Sequence, residues 1–325
     1  MVHGAAIMFF SYIGFDAVSC MAEETINPNV NVPIGTIASV FISASLYVAV
    51  GLVATGMVPS SVLALSGAPL SDAFRNHNQE WAATVISVGC VIGGTTSTLT
   101  CIMGQPRIYF SMARDGLLGP AFTKMRGGEA VKQGVPVWGC LCTGLLAAVM
   151  AFFVPLQTLS DMISIGTLNA FAVVNAGVVV LRYENEGRHS PRALLCTAVY
   201  FFSALAFGLG ANVNDFPLWM VVVPGSICVI SFSCLLHFCT QTNIPQNSFK
   251  CPLVPWVPCG GILMVFYVLG GLEAASWYRF LAWTSLGILI YFTYGIGHSK
   301  LNSPVPTKLK VSSDVSEDDD GIMSP

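Results

Sequence analysis

An all-α membrane protein with nine transmembrane helices is the fold that this 325-residue chain predicts, on three observations. First, 54% of the residues are hydrophobic and 10% are charged, where a soluble domain carries about 25% charged residues. Second, apolar runs of roughly 20 residues, each long enough to cross a bilayer as a helix, recur nine times. Third, the strand-type alternation of a membrane β-barrel is missing from the sequence.

The first run, 4–22, is the weakest by hydropathy, because it carries Ser11, Tyr12, Gly14 and Asp16. It closes on Glu23 and Glu24, a polar loop able to pair with basic residues at a gate or simply to be solvated. The second run, 34–58, follows Pro33, a residue that suits a helix start. The third, 81–104, contains Thr95, Thr96 and Ser97. The 105–135 segment after it is long and basic, and Arg107, Tyr109, Met112 and Leu117 predict a short interfacial helix ending near Gly119-Pro120. The fourth run, 136–154, places Cys140 and Cys142 on different faces of a helix. The fifth, 160–181, carries Asp161, Asn169 and Asn175, expected to hydrogen-bond between helices. Runs 193–211, 217–238, 253–271 and 277–297 complete the set. The tail contains "SSDVSEDDDG", Ser312 to Gly321, an acidic and aromatic-free stretch expected to be disordered.

Charge sets the orientation. With nine alternating spans, twelve of the 14 Lys and Arg fall on one face and two, Arg75 and Arg279, on the other. The positive-inside rule then places the C-terminus in the cytosol. An odd number of spans leaves the N-terminus outside, with no signal peptide and no positive flank, so further spans are expected upstream of Met1.

The stretch "FFSYIGFDAVSCMAEETINPNVNVPIG", Phe9 to Gly35, raises a chemical question. Glycine lowers helix propensity by about 1 kcal/mol relative to Ala, and Ser11 competes for backbone groups. A break at Ser11, Tyr12, Ile13 and Gly14 would free N–H and C=O groups near the bilayer midplane. A half-helix N-terminus can hold a carboxylate, and freed carbonyls can hold an ammonium. Those are the two ends of an amino-acid zwitterion. Small residues placed for helix packing explain the same pattern. Asp16 is costly inside a span, either as a functional group or as one that reaches the interface.

These residues resemble a known family. "FFSYIGFDAVSCMAEETINPNVNVPIG" is similar to the sixth transmembrane helix and following loop of the cationic amino acid transporters, in the amino acid–polyamine–organocation superfamily. "GQPRIYFSMARDGLL", Gly104 to Leu118, is similar to the loop after their eighth helix. "GVPVWGCLCTGLLAAVMAFFVPLQTLSDMISIGTLNAF", Gly134 to Phe171, resembles helices nine and ten, and "VVLRYE", Val179 to Glu184, resembles the end of helix ten. The likeness is good over roughly residues 5–190 and rests on span number and hydropathy thereafter. It implies a core of two inverted five-helix repeats with four helices added. Residues 1–182 would then be the second repeat, 183–299 the four additional helices and 300–325 the cytosolic tail. The chain would be a fragment corresponding to helices six to fourteen.

The resemblance also implies roles. Ser11, Tyr12, Ile13 and Gly14 would bind the substrate's amino group and side chain. Phe10 would be an outer gate, Phe15 an inner one, and Asp16 an acid beside the inner gate. Thr95, Thr96 and Ser97 would be the hydroxyls near a cation or lysine site. The expected function is secondary transport of amino acids, cationic ones such as arginine and lysine first, by alternating access driven by the membrane potential or a proton gradient. A neutral or broad-specificity permease and a polytopic protein without transport are the alternatives. The plasma membrane and a vacuolar or lysosomal membrane are both compatible settings. No catalytic, metal-ligand, cofactor-binding or nucleic-acid pattern is present in the sequence. The expected partners are therefore the amino acid substrate and the lipid bilayer.

Overall fold

The computed structural model describes residues 2–22, 25–123, 137–183, 190–212, 217–239 and 249–300. Among these residues the regular structure is helical throughout. The chain opens with α1 (Val2–Phe9), a 3-10 turn (Phe10–Tyr12) and a one-turn α2 (Ala17–Cys20). Then come α3 (Pro28–Met57), two short helices α4 (Ser60–Leu63) and α5 (Pro69–Arg75), and α6 (Glu80–Arg114). After a 3-10 turn (Pro120–Thr123) follow α7 (Val137–Phe153), α8 (Leu156–Arg182), α9 (Pro191–Asn212), α10 (Trp219–Phe238) and α11 (Trp256–Leu269). The last span is α12 (Ala274–Ile290), a π-turn (Tyr291–Gly295) and α13 (Ile296–His298) in one continuous rod.

Six of these helical stretches are long and apolar enough to cross a membrane: 28–57, 80–114, 156–182, 191–212, 219–237 and 274–298. Three shorter apolar stretches, Gly4–Cys20, Val137–Phe153 and Trp256–Leu269, occupy three more of the nine expected positions. A bilayer core is about 30 Å thick, or roughly 20 helical residues, and all three of these are shorter than that, α11 with 14 residues the most so. The chain is an integral membrane protein.

Two boundaries differ from expectation. α3 begins at Pro28, so Pro33 lies inside the helix. Pro28 takes the first helical position, where its fixed φ and missing N–H cost nothing, after Asn27 in a left-handed conformation (φ 51°). The expected interfacial helix after residue 105 is instead the continuation of α6, which runs straight through Pro106 to Arg114. Pro106 is buried, and its ring lies where a Cβ at Gly139 would sit, 3.0 Å away. Packing of α7 on α6 thus covers the proline. With 35 residues, α6 is about 52 Å long at 1.5 Å per residue and must project beyond the hydrocarbon.

The core lies among α8, α9, α10 and α11, with Ala6 of α1 inserted into it. Ile165, Leu168, Ile262, Phe266 and Leu235 are fully enclosed there. The backbones of α9 and α11 approach closely, so that a Cβ on Gly208 would meet the Phe266 carbonyl and one on Gly270 would meet the Gly208 carbonyl. Asn212 donates to the carbonyls of Gly208 and Tyr267, both at 2.9 Å, and Tyr200 donates to Cys259 O at 2.9 Å. The "GLGAN" stretch at 208–212 is therefore a packing element. Among the described residues, Asn169 and Asn175 do not bridge helices by hydrogen bonds as expected. Each donates to its own helix four residues back, to Ile165 O and Phe171 O, though the Asn175 amide also sits against Gly261 of α11. Self-bonding satisfies the amide inside one helix, and so frees it from needing a partner in hydrocarbon.

Candidate functional site

The helix break predicted in the first span is present. Ile13 is extended (φ −65°, ψ 132°) and Gly14 has φ +128°. The pair is the centre of a type II-like turn from Tyr12 to Phe15, whose third position demands a positive φ and hence glycine. A Cβ added at Gly14 would meet nothing within 4 Å, so glycine is required there by the backbone and not by crowding. The Ile13 N–H donates to Phe10 O (3.2 Å) and the Ala17 N–H to Gly14 O (3.1 Å). Between them, the N–H groups of Gly14, Phe15 and Asp16 find no backbone acceptor of normal geometry among the described residues. Unsatisfied groups at membrane depth cost several kcal/mol each. A break here is tenable only where water or a polar ligand reaches it.

Aromatic residues from two helices hold the break. On one, Tyr47 of α3 donates its hydroxyl to Ser11 O (3.0 Å), and its ring meets the edge of Tyr12 at 5.4 Å. On the other, Phe171 of α8 touches both halves of the broken helix. Its ring is 6.2 Å from Phe9 in an edge contact and 5.2 Å from Phe15 in a tilted one. The ring before the break that packs inward is thus Phe9, while Phe10 is exposed. Phe15 keeps the position after the break. Phe9, Tyr47 and Phe171 were not singled out from sequence. Phe9 heads the quoted motif, but nothing local ties Tyr47 or Phe171 to it.

Asp16 closes the break and is half-buried. Its backbone carbonyl accepts from the Ser19 hydroxyl at 2.5 Å. Arg107 of α6 lies one turn beyond Gly104, whose Cβ would be 3.9 Å from Ala17, the residue after Asp16. α6 therefore delivers a cation to the same end of the break as the acid. Its guanidinium also donates to the Met103 carbonyl. Glu23 and Glu24, the other acids of the motif, lie outside the described residues, as do Lys124, Arg126, Lys132, Arg188 and the acidic tail.

The structure does not bring Thr95, Thr96 and Ser97 to the break. α6 meets the broken helix at Gly104, whose Cβ would be 3.9 Å from Ala17. Thr96 lies eight residues before that contact, about 12 Å along the helix axis. Thr95 and Thr96 donate to Val91 O and Ile92 O, so their protons are spent on the helix, and all three residues are exposed. Their hydroxyl oxygens can still accept.

Comparison with known proteins bears on the whole chain. Residues 1–217 match the family model described as amino acid permease, and residues 249–299 match that described as the C-terminus of AA_permease. Among curated relatives, "Cationic amino acid transporter 4, vacuolar" of Arabidopsis thaliana is 31% identical over 361 residues, covering 93% of this chain and 59% of the relative. "Branched-chain amino acid permease BcaP" of Bacillus subtilis is 32% identical over 298 residues, covering 92% and 51%. "Cationic amino acid transporter 4" of Mus musculus is 29% identical over 368 residues, covering 94% and 57%. The chain therefore spans between half and three-fifths of the length of these relatives. A family match over its first 217 residues, on a chain of apolar helices with a broken span, places the protein in the amino acid permease family.

Proposed function

We propose that the protein carries amino acids across a membrane, with the Ser11–Gly14 break as part of the substrate site. The observation that carries this reading is the break itself: three backbone N–H groups without backbone acceptors among the described residues, at a positive-φ glycine, inside an apolar span. Such a site offers donors and carbonyls to a small zwitterion without introducing a fixed charge. Ser11, Tyr12, Ile13 and Gly14 supply the cradle. Phe15 and Phe10 stand after and before it as gates, and Phe9 shares the role of Phe10 through its contact with Phe171. Asp16 provides an acid for a cationic side chain or for a proton. Thr95, Thr96 and Ser97 serve as hydroxyl acceptors only if the break and α6 shift along one another.

Transport would follow alternating access, with the nine apolar stretches read as the second five-helix repeat of the core and four added helices. Cationic substrates are proposed first, on the resemblance to cationic transporters and the acid at the break. Inward movement of one positive charge through about 100 mV supplies roughly 2.3 kcal/mol, enough for concentration without another coupling ion. A neutral substrate is the second reading, favoured by the branched-chain permease among the relatives and by the aromatic surroundings of the break. The Lys and Arg asymmetry supports a cytosolic C-terminus, and the vacuolar relative keeps an internal membrane beside the plasma membrane as the setting.

Proteoliposome uptake of labelled arginine, lysine and leucine tests this, using the longest product of the gene and the 325-residue chain side by side. Saturable uptake by the longer product, stimulated by an inside-negative potential for arginine, is expected. Leucine uptake indifferent to potential would instead select the neutral reading. No uptake of any of the three would overturn the proposal.

A further inference from the structure

A second polar site lies where the end of α8 meets the segment leading into α11. Arg182 ends α8 and is only 9% exposed. A guanidinium has five N–H donors and no means of losing its charge. The partner shown for it is one neutral carbonyl, Cys251 O, at 3.2 Å. A buried cation of this kind calls for an anion.

The neighbours at this end of the bundle say which anion. Lys250 directly precedes the carbonyl that Arg182 holds, and it is exposed. Arg192, in the first turn of α9, is exposed and lies close enough for its charge to act on Cys239 at the end of α10. The ends of α8 and α10 and the starts of α9 and α11 therefore meet here. Among the described residues 182–183, 190–192, 237–239 and 249–256 there is no Asp or Glu. Around Lys250 the chain sets out three exposed apolar side chains, Phe249, Leu253 and Trp256. Trp256 is fixed by an edge contact with Phe232 at 4.8 Å. Cations over an aromatic and aliphatic skirt, at the ends of membrane helices, match a lipid with its headgroup above and its chains below.

We propose that Arg182 and Lys250 bind the headgroup of a net-anionic phospholipid, with Arg192 adding to the field and Phe249, Leu253 and Trp256 contacting its acyl chains. The lipid supplies a counter-charge that Arg182 does not find among the described residues, and so ties α8 to the segment leading into α11. This site needs no transport activity and stands apart from the break.

The experiment is thermal unfolding of the purified chain in nanodiscs of phosphatidylcholine alone or with phosphatidylglycerol. The phosphatidylglycerol discs should raise the midpoint by about 3 to 6 °C. Lys250→Gln, an exposed position where folding is not at risk, should remove at least half of that gain, and Arg182→Gln with Lys250→Gln should remove all of it. Arg75→Gln, at a site paired with Asp72 and Glu80, should leave the gain intact. Equal midpoints in the two lipids would overturn the proposal. A gain reproduced by inorganic phosphate in phosphatidylcholine discs would overturn the membrane source. A Lys250→Gln chain responding as fully as the wild type would overturn the site.

Discussion

Gly14 shows how a single backbone angle can carry a site. Its φ of +128° is open to glycine and costly to any residue with a Cβ, by about 1–2 kcal/mol. Gly14→Ala should therefore lower the unfolding midpoint by a few degrees and cut amino acid uptake at least tenfold. Gly4→Ala, also free of neighbours within 4 Å but at helical φ, should alter neither. Tyr47→Phe keeps the ring contact with Tyr12 and removes only the hydroxyl on Ser11 O. That bond is worth about 0.5–1.5 kcal/mol, so modest loss of stability is expected, with a changed KM for uptake if Ser11 O faces substrate. An unchanged KM would leave Tyr47 as a brace alone. Of these residues, Gly14 was legible in the sequence as a place where the helix could break, and the resemblance to the transporter family, more than the pattern itself, set that reading above simple helix packing. Tyr47 was not. Its bond to Ser11 joins positions 36 residues apart, and no local pattern encodes that.

Helices show the same division between what is local and what is tertiary. Each expected apolar run has a helical stretch, since hydropathy and length are local properties. Their ends were less legible. α6 runs on through Pro106 because Gly139 of α7 leaves room for the ring, and the α4–α5 pair between 59 and 76 has no apolar run to announce it. The glycines of α9 and α11 also separate into two kinds. Gly208 faces the Phe266 carbonyl, whereas a Cβ on Gly260 would meet nothing within 4 Å. Gly208→Ala must force two backbones apart and should cost several kcal/mol, on the scale of overpacking in a tight core. Gly260→Ala should be neutral or stabilising by up to about 1 kcal/mol, the helix-propensity difference. Thermal unfolding of the two variants in one detergent checks the contrast. Equal behaviour would mean that the α9–α11 approach is looser than the structure shows.

At the scale of the molecule, charge and exposure give the topology its test. Twelve of 14 Lys and Arg were assigned to one face, and a reporter fused after Pro325 should be protected from extracellular reagents in intact cells if that face is cytosolic. Modification of it from outside would reverse the orientation. Much of α3 and α6 remains uncovered by the rest of the chain, with 6% and none of their apolar windows buried. Most of the buried core lies among α8 to α11, and α3 and α6 add little to it. Sequence reading located both groups but could not rank their burial, because burial depends on partners and not on composition.

Phe171 has a mechanical meaning that its contacts alone do not state. One ring touches Phe9 before the break and Phe15 after it, so the two half-helices cannot turn about Gly14 independently. The glycine acts as the pin of a hinge and the phenyl ring as its stop. Because that stop is mounted on α8, any swing of the broken helix would be referenced to the most enclosed part of the described chain.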